Sequence, residues 1–567
     1  MRPILPFSPF KALSCTLAFW FLPLSTLWTT DSLTPVQPVT NSCPRFPAGS
    51  VVRNPPALFS HNGYLSVRFS YQTRMDADGR TLFSFMTPDG LENPTLYVHP
   101  GDHLIVTITN NTPATPVEAP IPAPNCGGSV MTHSSVNLHF HGTNTSPTCG
   151  QDEVIRTVIN SGETFQYNLA FPLDEPPGLY WYHPHAHGLT EAALQGGASG
   201  AIIVEGIQRF QPEVANLRQR IFLIRDQNVA GNPTPGGKIP SWDLTLNFVP
   251  ISYPAEIPAI LRMRPSDKEL WRVANASADS LVDLQLLFDG VPQTLQIVGL
   301  DGVPVDSQDG EVRNGGSSNH LNSTHILLPT AARAEFVVSA PASTVKVAEL
   351  VTRKVQTGPD GDNDTRRTLA SIQTDKTSEP VESDSVVPTQ SEPDWKTRFQ
   401  GLATAPVTNH RHLHFSENNP KSLFYITVDG ATNALYNPAS PPAIVTTQGS
   451  VEDWTIENRT LENHEFHLHQ THFLVLSQDN FGLNGTEPDR TIEGQYLDVI
   501  QVPYWDGNRN HPYPKVTVRV DFRGPDIGDF VYHCHIAEHE DAGMMAIIRV
   551  IPSLGDVAPN SAASISE

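Results

Sequence analysis

The segment at residues 531–545, VYHCHIAEHEDAGMM, places one cysteine between two histidines. Successive side chains of a β-strand point to opposite faces, so on a strand Cys534 points away from His533 and His535. Its sulfur can then bind one metal ion while the two imidazoles bind others behind it. The pattern predicts a strand that joins two neighbouring metal sites.

The residues around Cys534 indicate which metal binds there. His539 and Met544 follow Cys534 by five and ten residues, and His464 is the natural candidate for a second histidine. A soft thiolate with two imidazoles and a weak thioether is the ligand set of a blue-copper electron-transfer centre. Zinc is the alternative, but methionine as the fourth ligand argues against it.

Histidines recur in four short clusters along the chain. They are NLHFHG with His139 and His141, YWYHPHAHG with His183, His185 and His187, HEFHLHQTHF with His464, His467, His469 and His472, and HCHIAEH with His533, His535 and His539. On a strand, the imidazoles of an H-x-H pair project from one face about 7 Å apart, at ~3.3 Å per residue. This spacing suits two neighbouring metal ions, so four such pairs converging from two domains predict a multi-metal cluster.

The same spacing occurs again in RHLHF, at His412 and His414. This pair lacks the surrounding pattern of the four clusters. We therefore interpret it as the exposed start of a strand in the last domain.

The composition favours an all-β fold. Only 17% of the residues are charged, and 51 Pro and 38 Gly suit many short strands joined by turns. Three blocks of alternating strands and turns predict three consecutive β-sandwich domains, at 44–206, 207–351 and 396–553. The polar stretch 352–395 is predicted to be a linker, and residues 554–567 a frayed tail.

The N-terminus predicts export. Arg2 and Lys11 precede an apolar run at 12–22, which Pro23 ends, and this pattern predicts a signal peptide over residues 1–30. The run is about half as long as the ~20 residues that a membrane anchor needs. We therefore expect a secreted or periplasmic protein, monomeric and without a stable membrane anchor.

Cysteine usage and charge narrow the function further. An oxidising compartment favours a disulfide among Cys43, Cys126 and Cys149, with the pairing open, while Cys534 looks reserved for a metal. The formal net charge is −23, with no basic stripe along the chain. Nucleic acid is therefore not an expected partner.

The four clusters, in this order, resemble the multicopper oxidases, in particular three-domain laccases and bacterial laccase-like oxidases. The resemblance spans about 44–551, nearly the whole predicted mature chain. It implies three Greek-key cupredoxin domains and four copper ions. One is a type 1 copper in the last domain, and the other three form a cluster of one type 2 and two type 3 coppers between the first and last domains.

The resemblance also implies a role for each clustered residue. The type 1 copper would take His464, Cys534, His539 and, axially, Met544. The type 2 copper would take His139 and His467. The type 3 pair would take His141, His183, His185, His469, His533 and His535.

The implied activity is oxidation of a small donor with dioxygen as acceptor. Electrons would enter at the type 1 copper and pass through Cys534 to the cluster, where dioxygen becomes water. Glu540 matches an acid that delivers protons to the cluster in bacterial members, and Asp152 resembles the acid that follows their first H-x-H. Phenols or aromatic amines are the expected donors.

Other activities remain open. A cuprous-ion or other metal-ion oxidase is the runner-up, although the seven methionines of the chain form no methionine-rich insertion. A bilirubin-type oxidase is a further alternative. A non-catalytic copper-binding cupredoxin protein is a different class, and its relatives usually lose ligands that this chain keeps.

Some positions depart from the commonest pattern of the family. Glu465 stands where proline is frequent, and Gln470 where glycine is frequent. His187 and His472 are surplus histidines, which we interpret as packing or supporting residues. Met545, beside the axial candidate, is expected in the core.

Overall fold

Alternating side chains define the long strands of the structure. In His103–Asn110, HLIVTITN, every second side chain is buried, as expected of a strand with one face on a core. The computed structural model describes residues 45–121, 126–229, 239–307, 320–374, 398–484 and 490–553. Their regular structure is almost entirely β, which confirms the all-β prediction.

The first domain contains two main sheets. In spatial order their strands are Ala57–Phe59, Thr95–Val98, Gly200–Val204, Leu179–His183 and His139–His141 in one sheet, and Thr164–Ala170, His103–Asn110, Tyr64–Met75 and Thr81–Met86 in the other. Two small ribbons pair Val117–Pro120 with Val130–Thr132 and Cys126–Gly127 with Thr157–Val158. Val67 and Leu104 of one sheet and Phe140 and Ile202 of the other share one core.

The second domain repeats the two-sheet arrangement. One sheet contains Val249–Ile251, Trp242–Leu246, Arg218–Asn228, Lys268–Asn275, Arg333–Ser339, Leu295–Leu300 and Val303–Pro304, with Leu321–Ser323 beside Leu295–Leu300. The other contains Ala259–Met263, Arg367–Thr374, Ala348–Arg353, Val282–Phe288 and Val291–Pro292, with Ile326–Leu328 beside Val282–Phe288. Trp271 and Leu284, one from each sheet, lie in the shared core.

The third domain carries two of the four histidine clusters. One sheet contains Leu423–Val428, Asn409–Asn418, Val451–Asn458, Lys515–Asp521, Phe473–Asp479 and Tyr496–Leu497. The other contains Ile444–Thr447, Met545–Ile551, Gly528–Cys534, His464–Leu468 and Val499–Val502. The strand His464–Leu468 therefore lies directly beside Gly528–Cys534, which brings the two clusters together.

Helices are few and short among the described residues. The α-helices are Thr190–Gln195 and Ala537–Asp541, and the 3-10 helices are Ile207–Arg209, Pro212–Val214, Leu402–Thr404, Asn419–Lys421, Phe481–Asn484 and Arg490–Ile492. All of these described helices are too short to span a bilayer.

The predicted linker at 352–395 is wrong in its first part. Arg367–Thr374 is a strand that pairs with Ala259–Met263 and Ala348–Arg353, and its Leu369 and Ala370 are fully buried. The polar average of the whole stretch hid this strand, because a half-buried strand needs an apolar residue only at every second position. Residues 375–395, like the predicted signal peptide and tail, lie outside the described residues.

A disulfide links Cys126 and Cys149, with 5.7 Å between their Cα atoms. It is one of the pairings that the sequence left open, and it confirms that a disulfide is present. Cys43 lies outside the described residues. Cys534 is a buried free cysteine.

Candidate metal centre

Strand pairing sets the positions of the histidines. In the first domain, His139–His141 pairs with Leu179–His183 so that His183 lies opposite His139. In the third domain, His467 lies opposite His533 and Phe466 opposite Cys534. His139 and His141 thus face one side of their sheet, as the period of two requires, while His185, His469 and His535 lie just beyond the ends of their strands.

Eight buried histidines of the first and third domains converge in three neighbouring groups. The groups are His139 with His141 and His467, His141 with His183 and His535, and His185 with His469 and His533, and within each group one ring nitrogen per residue lies within 4.8 Å of the others. The closest approaches are 3.2 Å from His185 Nε2 and 3.1 Å from His469 Nε2, both to His533 Nε2. The second domain supplies none of these residues.

The ring nitrogens of these groups fit metal ligands. Within the described part of the chain, His139 Nε2, His141 Nδ1, His183 Nε2, His467 Nε2 and His535 Nε2 are buried without a hydrogen-bond partner. The opposite nitrogens of three of the rings are occupied: His139 Nδ1 lies 3.0 Å from Asp152 Oδ1, His183 Nδ1 2.8 Å from the Pro184 carbonyl, and His467 Nδ1 2.7 Å from the Asp498 carbonyl. One anchored and one free nitrogen is the arrangement of a metal-bound imidazole.

Burial also keeps these imidazoles in the form that binds a metal. It lowers the pKa of His183 and of His533 to about 3. Both rings are therefore neutral at pH 7, as metal binding requires.

A separate group surrounds Cys534. His464 Nδ1 lies 3.0 Å from His539 Nδ1, and Cys534 Sγ lies 3.7 Å from each of them. Such separations suit three ligands of one ion with bonds of about 2.0 Å to nitrogen and about 2.3 Å to sulfur. The fully buried Met544 is fixed beside them, because its carbonyl accepts the Cys534 N–H at 3.0 Å. Cys534 and its two neighbouring histidines thus belong to different groups.

Asp152 and Glu540, the two predicted acids, are both buried against histidines of the cluster. Asp152 Oδ2 accepts a 2.7 Å hydrogen bond from Gln470 Nε2, so the residue that replaces glycine holds this acid. Glu540 Oε1 lies 3.6 Å from His185 Nδ1, and its Oε2, which has no hydrogen-bond partner among the described residues, lies 3.4 Å from His533 Nδ1. Burial raises the pKa of both carboxyl groups well above the usual range.

A buried ion pair that no sequence pattern predicts joins the three domains. Arg333 Nη1 of the second domain donates to Asp498 Oδ1 of the third domain at 2.7 Å, and the same oxygen lies 3.1 Å from His141 Nε2 of the first. All three side chains are fully buried. Asp498 therefore fixes the His141 imidazole through Nε2, while Nδ1 of the same ring faces the cluster. Local periodicity gives no signal for such a contact.

Removing Arg333 should destabilise the protein strongly. Arg333→Met leaves Asp498 buried without its counter-charge, and breaking a buried pair costs about 3–5 kcal/mol. Urea unfolding of the copper-free protein measures the loss, and copper analysis should show fewer ions per chain because His141 loses its support. The matched control is Arg519→Met, whose pair with Asp453 is partly exposed and should cost less than about 1 kcal/mol. Equal losses in the two variants would contradict this prediction.

The remaining histidines lie outside these groups. His472 Nε2 bonds the Asp301 carbonyl at 2.8 Å, and the His187 ring packs on Tyr436 at 4.8 Å between centroids. His412 and His414 lie on the strand Asn409–Asn418, and both bond Asp429, at 2.6 and 2.9 Å. Met545, as expected, is buried in a small apolar cluster.

An acidic cleft opens beside His539. It has a volume of about 340 Å³, and five carboxylates line it: Asp279, Asp360, Asp362, Glu462 and Glu538. Lysine and arginine are absent from the described residues that form its wall. Glu462 Oε2 lies 3.5 Å from His539 Nε2, so the carboxylates reach the Cys534 group directly.

Comparison with known proteins agrees with this description. Two multicopper oxidase family models match residues 130–209 and 404–553. Multicopper oxidase mco of Staphylococcus haemolyticus is 24% identical over 470 residues, which cover 81% of this chain and 82% of that protein.

Solved structures share the fold. McoA multicopper oxidase of Aquifex aeolicus superposes with a TM-score of 0.64 at 19% identity, covering 89% of this chain and 99% of that one. A Campylobacter jejuni multicopper oxidase described as a metallo-oxidase gives 0.63 at 19% identity, covering 90% and 96%. The three sandwiches therefore have the cupredoxin-like architecture of this class.

Fold and site together define a copper-dependent oxidoreductase. Over residues 130–209 and 404–553 the chain matches the multicopper oxidase family, and copper is its cofactor.

Proposed function

We propose that this protein is an exported oxidase that takes single electrons from a small donor near His539 and passes them to dioxygen at the histidine cluster. One observation carries the proposal: Cys534 belongs to one ligand group, while His533 and His535, joined to it by peptide bonds, belong to two groups of the histidine cluster. Copper in the two sites would supply one-electron acceptance at the first and reduction of dioxygen to water at the second. The Cys534 segment then provides a covalent path for electrons between them.

The ligand assignment follows the groups. We assign a type 1 site to His464, Cys534, His539 and Met544. A type 2 site takes His139 and His467. A type 3 pair takes His141, His183, His185, His469, His533 and His535. Four copper ions per chain are the expected complement.

Glu540 and Asp152 are proposed to hold the protons that water formation consumes. Glu540 Oε2 lies 3.4 Å from His533 Nδ1 and makes no hydrogen bond within the described part of the chain, and Thr190 Oγ1 lies 3.2 Å from Oε1. Asp152 occupies the corresponding place behind His139. A buried carboxyl group that stays protonated near pH 7 suits general acid catalysis.

Export has support from two features. The apolar N-terminal run has the pattern of a signal peptide, and the Cys126–Cys149 disulfide suits an oxidising compartment. The monomeric state stays a prediction.

The cleft favours a cationic donor, and metal ions that prefer oxygen ligands, such as Fe²⁺, are the class that fits best; the soft Cu⁺ ion prefers sulfur ligands, which the described wall does not contain. The five acids offer hard oxygen ligands. Burial raises the pKa of Glu462 to about 7 and that of Asp279 well above its usual range, so most of the negative field that concentrates cations comes from the other three acids. Glu462 connects the cleft to His539, so a cation bound there lies next to the entry point for electrons. The metallo-oxidase of Campylobacter jejuni lends this class further support.

Phenols or aromatic amines are the second candidate class. Phe424 stacks on the His539 ring at 4.2 Å between centroids, and Leu281 and Ile536 also line the cleft. The volume of the cleft admits an aromatic ring beside this apolar wall. Nothing in the wall favours a large donor such as bilirubin over these smaller ones.

Neutralising two carboxylates of the cleft separates the two classes. In Asp360→Asn/Glu538→Gln we expect KM for Fe²⁺ to rise roughly tenfold, because two exposed charges each act on the cation through solvent. The specificity constant kcat/KM for a neutral phenol should not change. Asp89→Asn, an exposed acid of the first domain, is the matched control. Equal losses for Fe²⁺ and phenol would indicate damage at His539 and refute a cation-binding role.

Oxygen uptake by the copper-loaded protein tests the oxidase assignment itself. We expect blue absorption together with oxygen consumption on Fe²⁺ or a phenol. Copper binding without oxygen consumption would instead favour a non-catalytic copper protein.

A further inference from the structure

The backbone N–H of Glu465 points at the sulfur of Cys534. The donor nitrogen lies 3.4 Å from Cys534 Sγ. Beside this contact, the segments that contain Glu465 and Cys534 are joined by a hydrogen bond from the His535 N–H to the Glu465 carbonyl, at 3.0 Å. Glu465 is fully buried, so this N–H is shielded from water and its bond to sulfur is not shared with solvent.

A residue of the second domain holds Glu465 in place. The Thr330 N–H donates to Glu465 Oε1 at 3.1 Å, and Thr330 Oγ1 touches Glu465 Oε2. The same hydroxyl lies 2.6 Å from the His535 carbonyl. Thr330 of the second domain, which supplies none of the candidate metal ligands, therefore holds both Glu465 and His535 beside Cys534.

We propose that the hydrogen bond from the Glu465 N–H to Cys534 Sγ raises the reduction potential of the copper at this site, with Thr330 as its positioning residue. The inference rests on the proposed function, because it takes Cys534 as a copper ligand. A donor at the thiolate draws electron density from sulfur, which weakens its donation to oxidised copper more than to reduced copper. Hydrogen bonding around this sulfur is a recognised determinant of the potential of such sites.

The identity of residue 465 decides whether this bond exists. Proline has no N–H, so a chain with proline at this position cannot make it. The Glu465 N–H is not needed for pairing with the strand Val499–Val502. The Leu468 N–H bonds the Asp498 carbonyl, and hydrogen-bonded pairs alternate along an antiparallel ladder. The Glu465 N–H therefore points away from that strand and toward Cys534. Removing this N–H therefore costs no bond to that strand.

The test compares Glu465→Pro with Glu465→Gln. Gln keeps the N–H and the shape of the side chain, whereas Pro removes the N–H. Titration of the blue absorption with ferrocyanide should show the equilibrium constant for reduction about tenfold lower in Glu465→Pro, which is 59 mV for one electron. The blue band should move to longer wavelength, and Glu465→Gln should match the parent protein.

Thr330 gives a second route should Glu465→Pro fail to fold. Thr330→Val removes the hydroxyl clamp and should lower the potential in the same direction, while Thr330→Ser should restore it. A merely structural role would change stability but not the potential.

An equal shift of the potential in the Pro and Gln variants overturns this inference, because it assigns the effect to the side chain. If the copper-loaded parent protein lacks blue absorption, the assignment of Cys534 as a copper ligand is wrong, and the proposed function and this inference fail together. Blue protein with an unchanged potential overturns this inference alone.

Discussion

Replacing Cys534 by serine is expected to abolish the blue absorption and reduce turnover to background, while copper stays at the histidine cluster. The blue colour requires a thiolate bound to copper, and serine has no sulfur. The three histidine groups do not include Cys534, so their ligands remain. Absorption spectra, copper analysis and oxygen uptake measure the three effects.

Met545→Leu is the matched control for this substitution. Met545 lies next to Met544 but packs in a small apolar cluster with Val531 and Ile547. It should keep both colour and activity. Blue absorption that survives Cys534→Ser would show that the thiolate assignment is wrong.

The second large effect is expected at Glu540. Glu540→Gln keeps the size of the side chain but removes the proton that the carboxyl group can give, and kcat should fall by about 10²-fold or more. Donor oxidation should be unaffected, because Glu540 lies against His185 and His533 rather than in the cleft.

Single-turnover experiments distinguish these steps. Mixed with donor under anaerobic conditions, Glu540→Gln should bleach at the parent rate, and its colour should return slowly when oxygen is admitted. Glu118→Gln, an exposed acid of the first domain, should leave both phases unchanged. A slower bleaching phase in Glu540→Gln would contradict a role confined to proton delivery.

The sequence predicts the clusters well because their signal is local. An H-x-H pair on a strand faces one side for steric reasons alone, and Cys534 between His533 and His535 must face the other. The structure brings together every histidine of the four clusters that was predicted to bind copper. It leaves His187, His472, His412 and His414 outside the groups.

Other features depend on residues far apart in the chain. Arg333 and Asp498 are 165 residues apart, and no local pattern marks either of them. The strand Arg367–Thr374 was hidden for a related reason, since its partners, and not its composition, make it a strand.

The structure also reverses which class of electron donor is favoured. From the sequence, phenols came before metal ions, because the chain has no methionine-rich insertion. The cleft gathers acids from two distant parts of the chain, Asp279 and Asp362 on one side and Glu462 and Glu538 on the other. Their combined field exists only once the second and third domains are packed.

The sequence by itself determined the ligand types, the all-β class and the alternation that sends Cys534 to one metal site and its neighbours to another. These depend on side-chain chemistry and on the two-residue period of a strand, which are local. Only the tertiary structure decided that Arg333 and Asp498 support His141, that carboxylates surround His539, and that the Glu465 N–H meets the Cys534 sulfur. Each of these needs groups from distant segments of the chain at hydrogen-bond distance, and only strand pairing within a domain or packing between domains brings such segments together.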